Sequence, residues 1–435
     1  MKKIVVILLI SLILISCQNY EPKELTQIPE EVKKSIKTAV DNGHRPGVII
    51  GLINPKGIHY YSYGTAYVGN EQTITKDSQF AVGSITKLFT VELLEEMVNE
   101  GRVSYQTKVS TIWPEVEDSG NTELWQLADH KAKLPRKIPF AALEKNDPKL
   151  LLDALKRSDS LPAEYQYSNA GMAILGLTLA QVEEKELAEL MKDRIFETVH
   201  MSNTGYIADP ARKVGLHQVM EPIEQKNDIT AEIARGSGGL YSTGEDLARF
   251  ISYQMNKQIQ NNELSEGRLG WKSHRDKNFV SYYHGGDGGG NQAFIGYRPD
   301  NKVGVVLLSN SSADDELQQV AIHLLDTGIE LPTFTTPPAK KHSDEELAPY
   351  LGVYVIKGNE EGNTFTIENS EGSLIYIERT NEGGLVRRTK LYEVAKHQFK
   401  LAEMPLTIDF SGRVEKQKEV VMQYQQQTYI LNRTK

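Results

Sequence analysis

Ser84 and Lys87 stand three residues apart in the run Phe80–Thr90, FAVGSITKLFT. On a helix, residues three apart lie on one face, so the lysine amine can reach the serine hydroxyl. A serine attacks a carbonyl only with an adjacent base. An ammonium is not a base, but burial and the positive end of a helix dipole both drive a lysine towards its neutral form. Gly83 allows a tight turn and close substrate approach. The pattern alone is weak, because serine is a common helix cap and lysine a common surface residue. A second constellation is Tyr167 and Asn169 in EYQYSNAGMAILG. Two residues apart in an extended segment, they point the same way. A tyrosine can relay a proton and an asparagine can orient a substrate amide; the alternative is an ordinary helix start capped by Ser168 or Asn169. A third is His284-Gly285-Gly286-Asp287 in YYHGGDGGGNQAFIGYRP. There a polar residue and two glycines open an edge strand whose bare backbone a substrate can lie against; the alternative is a long glycine-rich hairpin turn.

Competing chemistries leave no trace. The ten histidines contain no H-E-x-x-H and no helical pair four apart, so no metal is expected. There is no G-x-S-x-G elbow. The glycine-rich HGGDGGGN has no helix after it and no P-loop lysine is present, so neither nucleotide nor other cofactor is expected.

The elements that must position these residues follow from periodicity. Pro29–Asn42 has helical spacing, ended by Gly43. PGVIIGLIN and GIHYYSYGTA, separated by Pro55-Lys56, read as a hairpin. Ser84–Asn99 carries an amphipathic helical pattern, and residues 122–250 are mainly helical, with a capping box at Ser242–Glu245 before LARFISYQM. NQAFIGYRP and NKVGVVLLSN read as strands turning at Pro299-Asp300, and a last helix falls near 314–327. Residues 331–345, rich in proline and then charge, read as a linker. From 346 to 435 short strand-like pieces such as VYVI, TFTI and LIYI suggest a small antiparallel β barrel or sandwich.

The chain of 435 residues carries a formal charge of −9 and a single cysteine. It has no dense basic block, so nucleic acid is not an expected partner, and no internal disulfide is possible. The opening MKKIVVILLISLILISCQNY has a charged start, a short apolar run and a small residue, the pattern of a secretion signal; an uncleaved anchor is the alternative. Leu14-Ile15-Ser16-Cys17 resembles a bacterial lipoprotein box. That implies a signal peptide over 1–16, lipidation of Cys17, a tether over 17–27, and a protein exported to the cell envelope and held to membrane through lipid only, in the periplasm or outer membrane if Gram-negative.

In the order S-x-x-K, Y-x-N, H-G-G, with Y-x-N about 80 residues after the serine and H-G-G about 115 further on, residues 28–330 resemble the serine β-lactamase and penicillin-binding protein superfamily. The branch most resembled is that of class C β-lactamases, DD-carboxypeptidases and related esterases. EGRVSYQTKVSTIWPE and GGLYSTGEDLARF are weaker echoes. The resemblance implies an α+β fold with an antiparallel sheet flanked by helices, followed by a lipocalin-like barrel. It implies Ser84 as acylated nucleophile, Lys87 as base and Tyr167 as proton relay. Asn169, His284, Gly285 and Gly286 would bind substrate, and the backbone N–H groups of Ser84 and Asp287 would form the oxyanion hole. The substrate would be an ester, a D-amino-acid amide or a peptide of cell-wall type, possibly peptidoglycan-derived. The alternative is a degenerate envelope protein that binds such a ligand without turnover.

Three departures stand out. HKAKLP (His130–Pro135) replaces the family's His-Thr-Ser-Gly-Leu-Pro, Asp287 replaces a small residue, and His284-Gly285 replaces the Lys-Thr of a K-T-G motif. A glycine offers no hydroxyl, and histidine is at most partly charged at neutral pH. The expectation is therefore poor turnover of β-lactams and D-Ala-D-Ala termini, with better activity on short acyl esters or D-amino-acid amides.

Overall fold

The computed structural model describes residues 25–119, 121–155, 165–218, 220–223, 231–261, 268–275, 279–312, 316–334, 342–370, 372–401, 406–414, 419–424 and 427–434. Cys17 and the apolar leader lie outside them.

Helix α1 (Glu30–Asp41) leads into the hairpin β1 (Gly47–Asn54) and β2 (Gly57–Gly64), then β3 (Gln79–Ala81) and α2 (Thr86–Asn99). Short helices follow, up to α3 (Asn169–Glu183), then β4 (Tyr241–Thr243) and α4 (Gly244–Asn261). Strands β5 (Lys272–Arg275), β6 (Val280–Asp287), β7 (Gln292–Arg298) and β8 (Val303–Ser309) precede α5 (Glu316–Leu325). The main sheet is antiparallel, in the order β2-β1-β8-β7-β6-β5, and β3 pairs separately with β4.

The runs GVIIGLI and VGVVLL are apolar at every position because both faces of the sheet centre are covered. Val48, Ile50, Leu52, Val305 and Leu307 face α1 and α5, against Val32, Ile36, Leu317 and Val320. Ile49, Ile53, Val306 and Leu308 face the opposite way, into the larger core built on α2, α3 and α4. At that core's centre, α2 departs from expectation. Thr86 to Leu94 are buried without interruption, so this is a central helix enclosed on all sides rather than an amphipathic surface one. Its polar side chains are accordingly partnered: Thr90 Oγ1 donates to the Gly236 carbonyl at 2.8 Å, and Glu92 accepts from Tyr253, Gln254 and Lys257.

One other local reading is corrected. α4 is capped by Thr243, whose hydroxyl accepts from Asp246 N–H at 3.1 Å, while Ser242 is taken up by Thr204. Glu245 pairs outward with Lys76 and Arg249. Within the stretch read as a linker, Phe334 is buried with α1 residues, and its carbonyl accepts from Asn42.

Strands β9 (Gly352–Ile356), β10 (Asn359–Ser370), β11 (Ser373–Arg379), β12 (Leu385–Ala395), β13 (Gln398–Leu401), β14 (Leu406–Asp409), β15 (Val420–Tyr424) and β16 (Gln427–Arg433) close into a barrel. Closure removes sheet edges. Tyr354, Phe365, Tyr376, Phe399, Ile408 and Phe410 form its core. β12 lies against the short strand His217–Gln218, and His217 N–H donates to the Gly290 carbonyl at 3.0 Å. The barrel thus touches a segment that holds the glycine-rich turn after β6.

Candidate active site

The α2 entrance is a single 3₁₀ turn, Gly83–Ile85, that feeds the helix. Gly83 sits at φ +51°, and a Cβ there would stand 2.0 Å from the Asp287 carbonyl oxygen. A Cβ on Gly286 would stand 2.1 Å from the Val82 carbonyl oxygen. These glycines let the end of β6 lie directly on the backbone that carries Ser84. Gly286→Ala would push backbone against backbone and is expected to cost about 1–3 kcal/mol, with slowed acylation. Gly285→Ala would meet only the end of the Gln318 side chain, 3.2 Å away, and should cost less. Denaturant midpoints of the two variants check the difference.

β6 is only partly an edge. β5 covers it from Val280 to Tyr283, leaving His284 to Asp287 without a paired strand on that side among the described residues. The glycines close the strand rather than open it, and the bare backbone is its last turn-ward stretch.

Around Ser84 three side chains converge. Lys87 Nζ lies 3.0 Å from Ser84 Oγ and donates to the Ser237 carbonyl at 2.6 Å. Tyr167 O–H donates to Ser84 Oγ at 2.6 Å. Lys87 is 1 % exposed, and burial, helped by the Arg136 charge, pulls its pKa down to about 7. Burial raises that of Tyr167, keeping it a phenol donor. Ser168, extended between Tyr167 and Asn169, caps α3 by accepting from Gly171 N–H and anchors to the Pro135 carbonyl. The capping reading of this segment thus fits, whereas Tyr167 and Asn169 do not share an extended segment: Asn169 already opens the helix, and the two residues border different cavities. Asn169 begins α3 with its Oδ1 buried and without a hydrogen-bond partner among the described residues, which suits an acceptor for a substrate N–H.

His284 is buried, and its pKa falls to about 3 through burial and the Lys87 charge, so the ring is neutral at pH 7. Its Nδ1 lies 2.7 Å from the Gly285 carbonyl; a carbonyl only accepts, so Nδ1 holds the proton and Nε2 is an acceptor. Asp287 Oδ1 accepts from Gly289 N–H at 2.8 Å, occupying that oxygen in the following turn.

Ser84 and Asp287 border two cavities. One, of about 570 Å³, includes Arg136, Tyr167, Lys272, His284, Gly285 and Gln318 in its wall. The other, of about 500 Å³, is walled by Ile138, Phe140, Leu143, Asn169, Ala234 and Ser237 among others. The first contains what residue spacing did not reveal. Arg136 lies 5.1 Å from the Tyr167 ring centre, and neither it nor Lys272 has a carboxylate partner among the described residues. The third motif lacks a lysine, yet the first cavity has two cations on its border, Arg136 from the HKAKLP flank and Lys272 from β5, and Lys137 borders the second. His130 also belongs here, its ring 4.6 Å from that of Tyr167 and its Nδ1 accepting from Ser168 N–H at 3.2 Å. Burial lowers its pKa to about 4. The odd sequence of the 130–137 segment was the available signal for both residues.

The family model described as Beta-lactamase matches residues 32–327. Beta-lactamase-like protein 2 of Dictyostelium discoideum is 26% identical over 292 residues, 58% of this chain and 52% of its own length. The D-alanyl-D-alanine-carboxypeptidase/endopeptidase AmpH of Escherichia coli K12 is 25% identical over 236 residues, 51% of this chain and 61% of its own. The chain thus spans between half and two thirds of these relatives. Among solved structures, the class C beta lactamase from Rhodobacter sphaeroides superposes with a TM-score of 0.62 at 20% identity, covering 69% of this chain and 99% of that one. This is a likeness of fold.

Proposed function

We propose that this chain, which belongs to the Beta-lactamase family of serine hydrolases, forms an acyl-enzyme on Ser84 with an ester, a D-amino-acid amide or a peptide of cell-wall type. The observation that carries the reading is the convergence of Lys87 and Tyr167 on one serine hydroxyl, at 3.0 Å and 2.6 Å. Lys87, near neutrality, gives one N–H to the Ser237 carbonyl and accepts the Ser84 proton as Oγ bonds the carbonyl carbon. The oxyanion is held by the backbone N–H groups of Ser84 and Asp287. As the intermediate collapses, the bond to the leaving nitrogen or oxygen breaks. The proton on Lys87 passes through the Tyr167 hydroxyl to that atom. Water then attacks the acyl carbon and gives its proton to the Lys87–Tyr167 pair; the bond from the acyl carbon to Ser84 Oγ breaks, that proton passes to Oγ, and the free acid leaves.

A fully assembled Ser-Lys-Tyr set favours turnover over a degenerate binding site, which needs none of the three. Incubation with nitrophenyl esters, D-Ala-D-Ala peptides and a penicillin, read by intact mass and product release, tests the reading. Binding without any acyl mass on Ser84 would overturn it.

The envelope location is also proposed, from the lipobox-like Leu14–Cys17. Cys17→Ser should leave full-length precursor or a soluble form, whereas wild type partitions into detergent with a lipid-modified N-terminus. Wild type carrying residues 1–16 and no lipid would sink this reading.

A further inference from the structure

Position 285 has no side chain, yet the space above it is filled. An ideal Cβ on Gly285 would lie 3.2 Å from both Nε2 and Oε1 of Gln318, which reaches over from α5. Gly285 is in β6 and is not in the left-handed region, so the bare position is not a backbone requirement. Gln318 is half-buried, borders the Arg136–Lys272 cavity and makes no hydrogen bond among the described residues. A half-buried carboxamide without a hydrogen bond among the described residues, on the same cavity as Ser84, is available to a substrate.

The side of the substrate it meets follows from the proton path. The group that protonates the leaving atom must lie on the leaving side. Tyr167 borders the same cavity as Gln318, whereas Asn169 borders the other. The leaving portion therefore lies along Gln318, and the acyl portion along Asn169 and the apolar Ile138–Phe140–Leu143 wall.

We propose that Gln318 is a specificity-determining residue: its carboxamide stands in for a side chain at Gly285 and donates to an oxygen on the leaving portion of the substrate. This rests on the serine-hydrolase reading. Arg136 and Lys272 supply charge to the same cavity, but the Gln318 bond does not require a charged acceptor.

The test uses three esters of one acylglycine, with phenol, 3-hydroxybenzamide and 3-hydroxybenzoate as leaving groups. The first lacks an oxygen acceptor beyond the scissile bond, the second has a neutral one and the third an anionic one. Gln318→Leu removes the amide at similar size. It is expected to lower kcat/KM for the benzamide ester about three- to tenfold relative to the phenyl ester, the effect of one neutral hydrogen bond, and for the benzoate ester by at least as much, its acceptor being charged. Arg136→Ala should instead lower the benzoate ester relative to the benzamide ester. Introducing Gly285→Thr into Gln318→Ala, where the space is vacated, should recover part of the lost preference. Equal loss on all three esters would mean that Gln318 merely packs α5 against β6, and an unchanged ratio would mean that it meets no substrate; either overturns the proposal. So would failure of Gly285→Thr to recover any preference. If no ester acylates Ser84, the serine-hydrolase reading itself falls.

Discussion

Ser84→Ala is expected to eliminate the acyl adduct while leaving the fold intact. The hydroxyl is the atom on which both Lys87 and Tyr167 converge, so its loss removes the protein atom that bonds the acyl carbon in the proposed reaction. Removal of a nucleophile lowers turnover by at least about 10³-fold, often far more. Structurally the change is small. Ser84 is half-buried at the cavity edge, and Lys87 keeps its bond to the Ser237 carbonyl. The thermal midpoint should therefore stay close to that of wild type. Intact mass after incubation with an activated ester, alongside a melting curve, decides the matter. An alanine variant that gains the acyl mass at a comparable rate would place the nucleophile elsewhere.

Lys87→Arg is expected to lower the acylation rate on the order of 10²–10⁴-fold, the range for loss of a general base. Guanidinium remains protonated, so the variant retains a cation and loses the lone pair. Since Lys87 is 1 % exposed beside the Arg136 field, the larger cation is also strained there. Lys87→Ala is the companion variant, and circular dichroism separates loss of base from loss of fold. The wild-type pH profile carries the same information. The pKa of Lys87 is depressed to about 7, so the base form is lost as pH falls through 7 and fully present above it. Log(kcat/KM) should rise with unit slope below about pH 7 and flatten above. His284 and His130 are held neutral, with pKa values near 3 and 4, so that limb is not theirs. A flat profile from pH 5 to 9, or near-normal turnover by the arginine variant, would show that another group takes the proton.

Much of the arrangement is legible without coordinates. The β1–β2 hairpin, the β7–β8 hairpin and α1 follow from residue patterns a few positions long. Of these only β1 and β8 are near-continuous apolar runs, as strands covered on both faces must be. The motif order also places the chain in its family. The misreadings share one origin. α2 looks amphipathic because Lys87, Thr90 and Glu92 are polar, yet all are buried; their partners at 236–237 and 253–257 are remote in sequence. The cations Arg136 and Lys272 look like ordinary surface charges until the chain path brings them to one cavity. Gln318 is one of many helix amides, and only its position over Gly285 distinguishes it.

Sequence by itself determines that Ser84 and Lys87 are within reach, because helix geometry places residues three apart on one face whatever surrounds them. It likewise determines that β6 carries two residues without side chains, Gly285 and Gly286, just before its last residue. It does not determine that Lys87 is near neutrality, since that depends on how completely distant segments exclude water from an ammonium. Nor does it determine that Tyr167, 83 residues away, touches the same hydroxyl. That contact exists only because α3, α2 and the end of β6 pack around one point, and packing is a sum over non-local contacts that no short window contains.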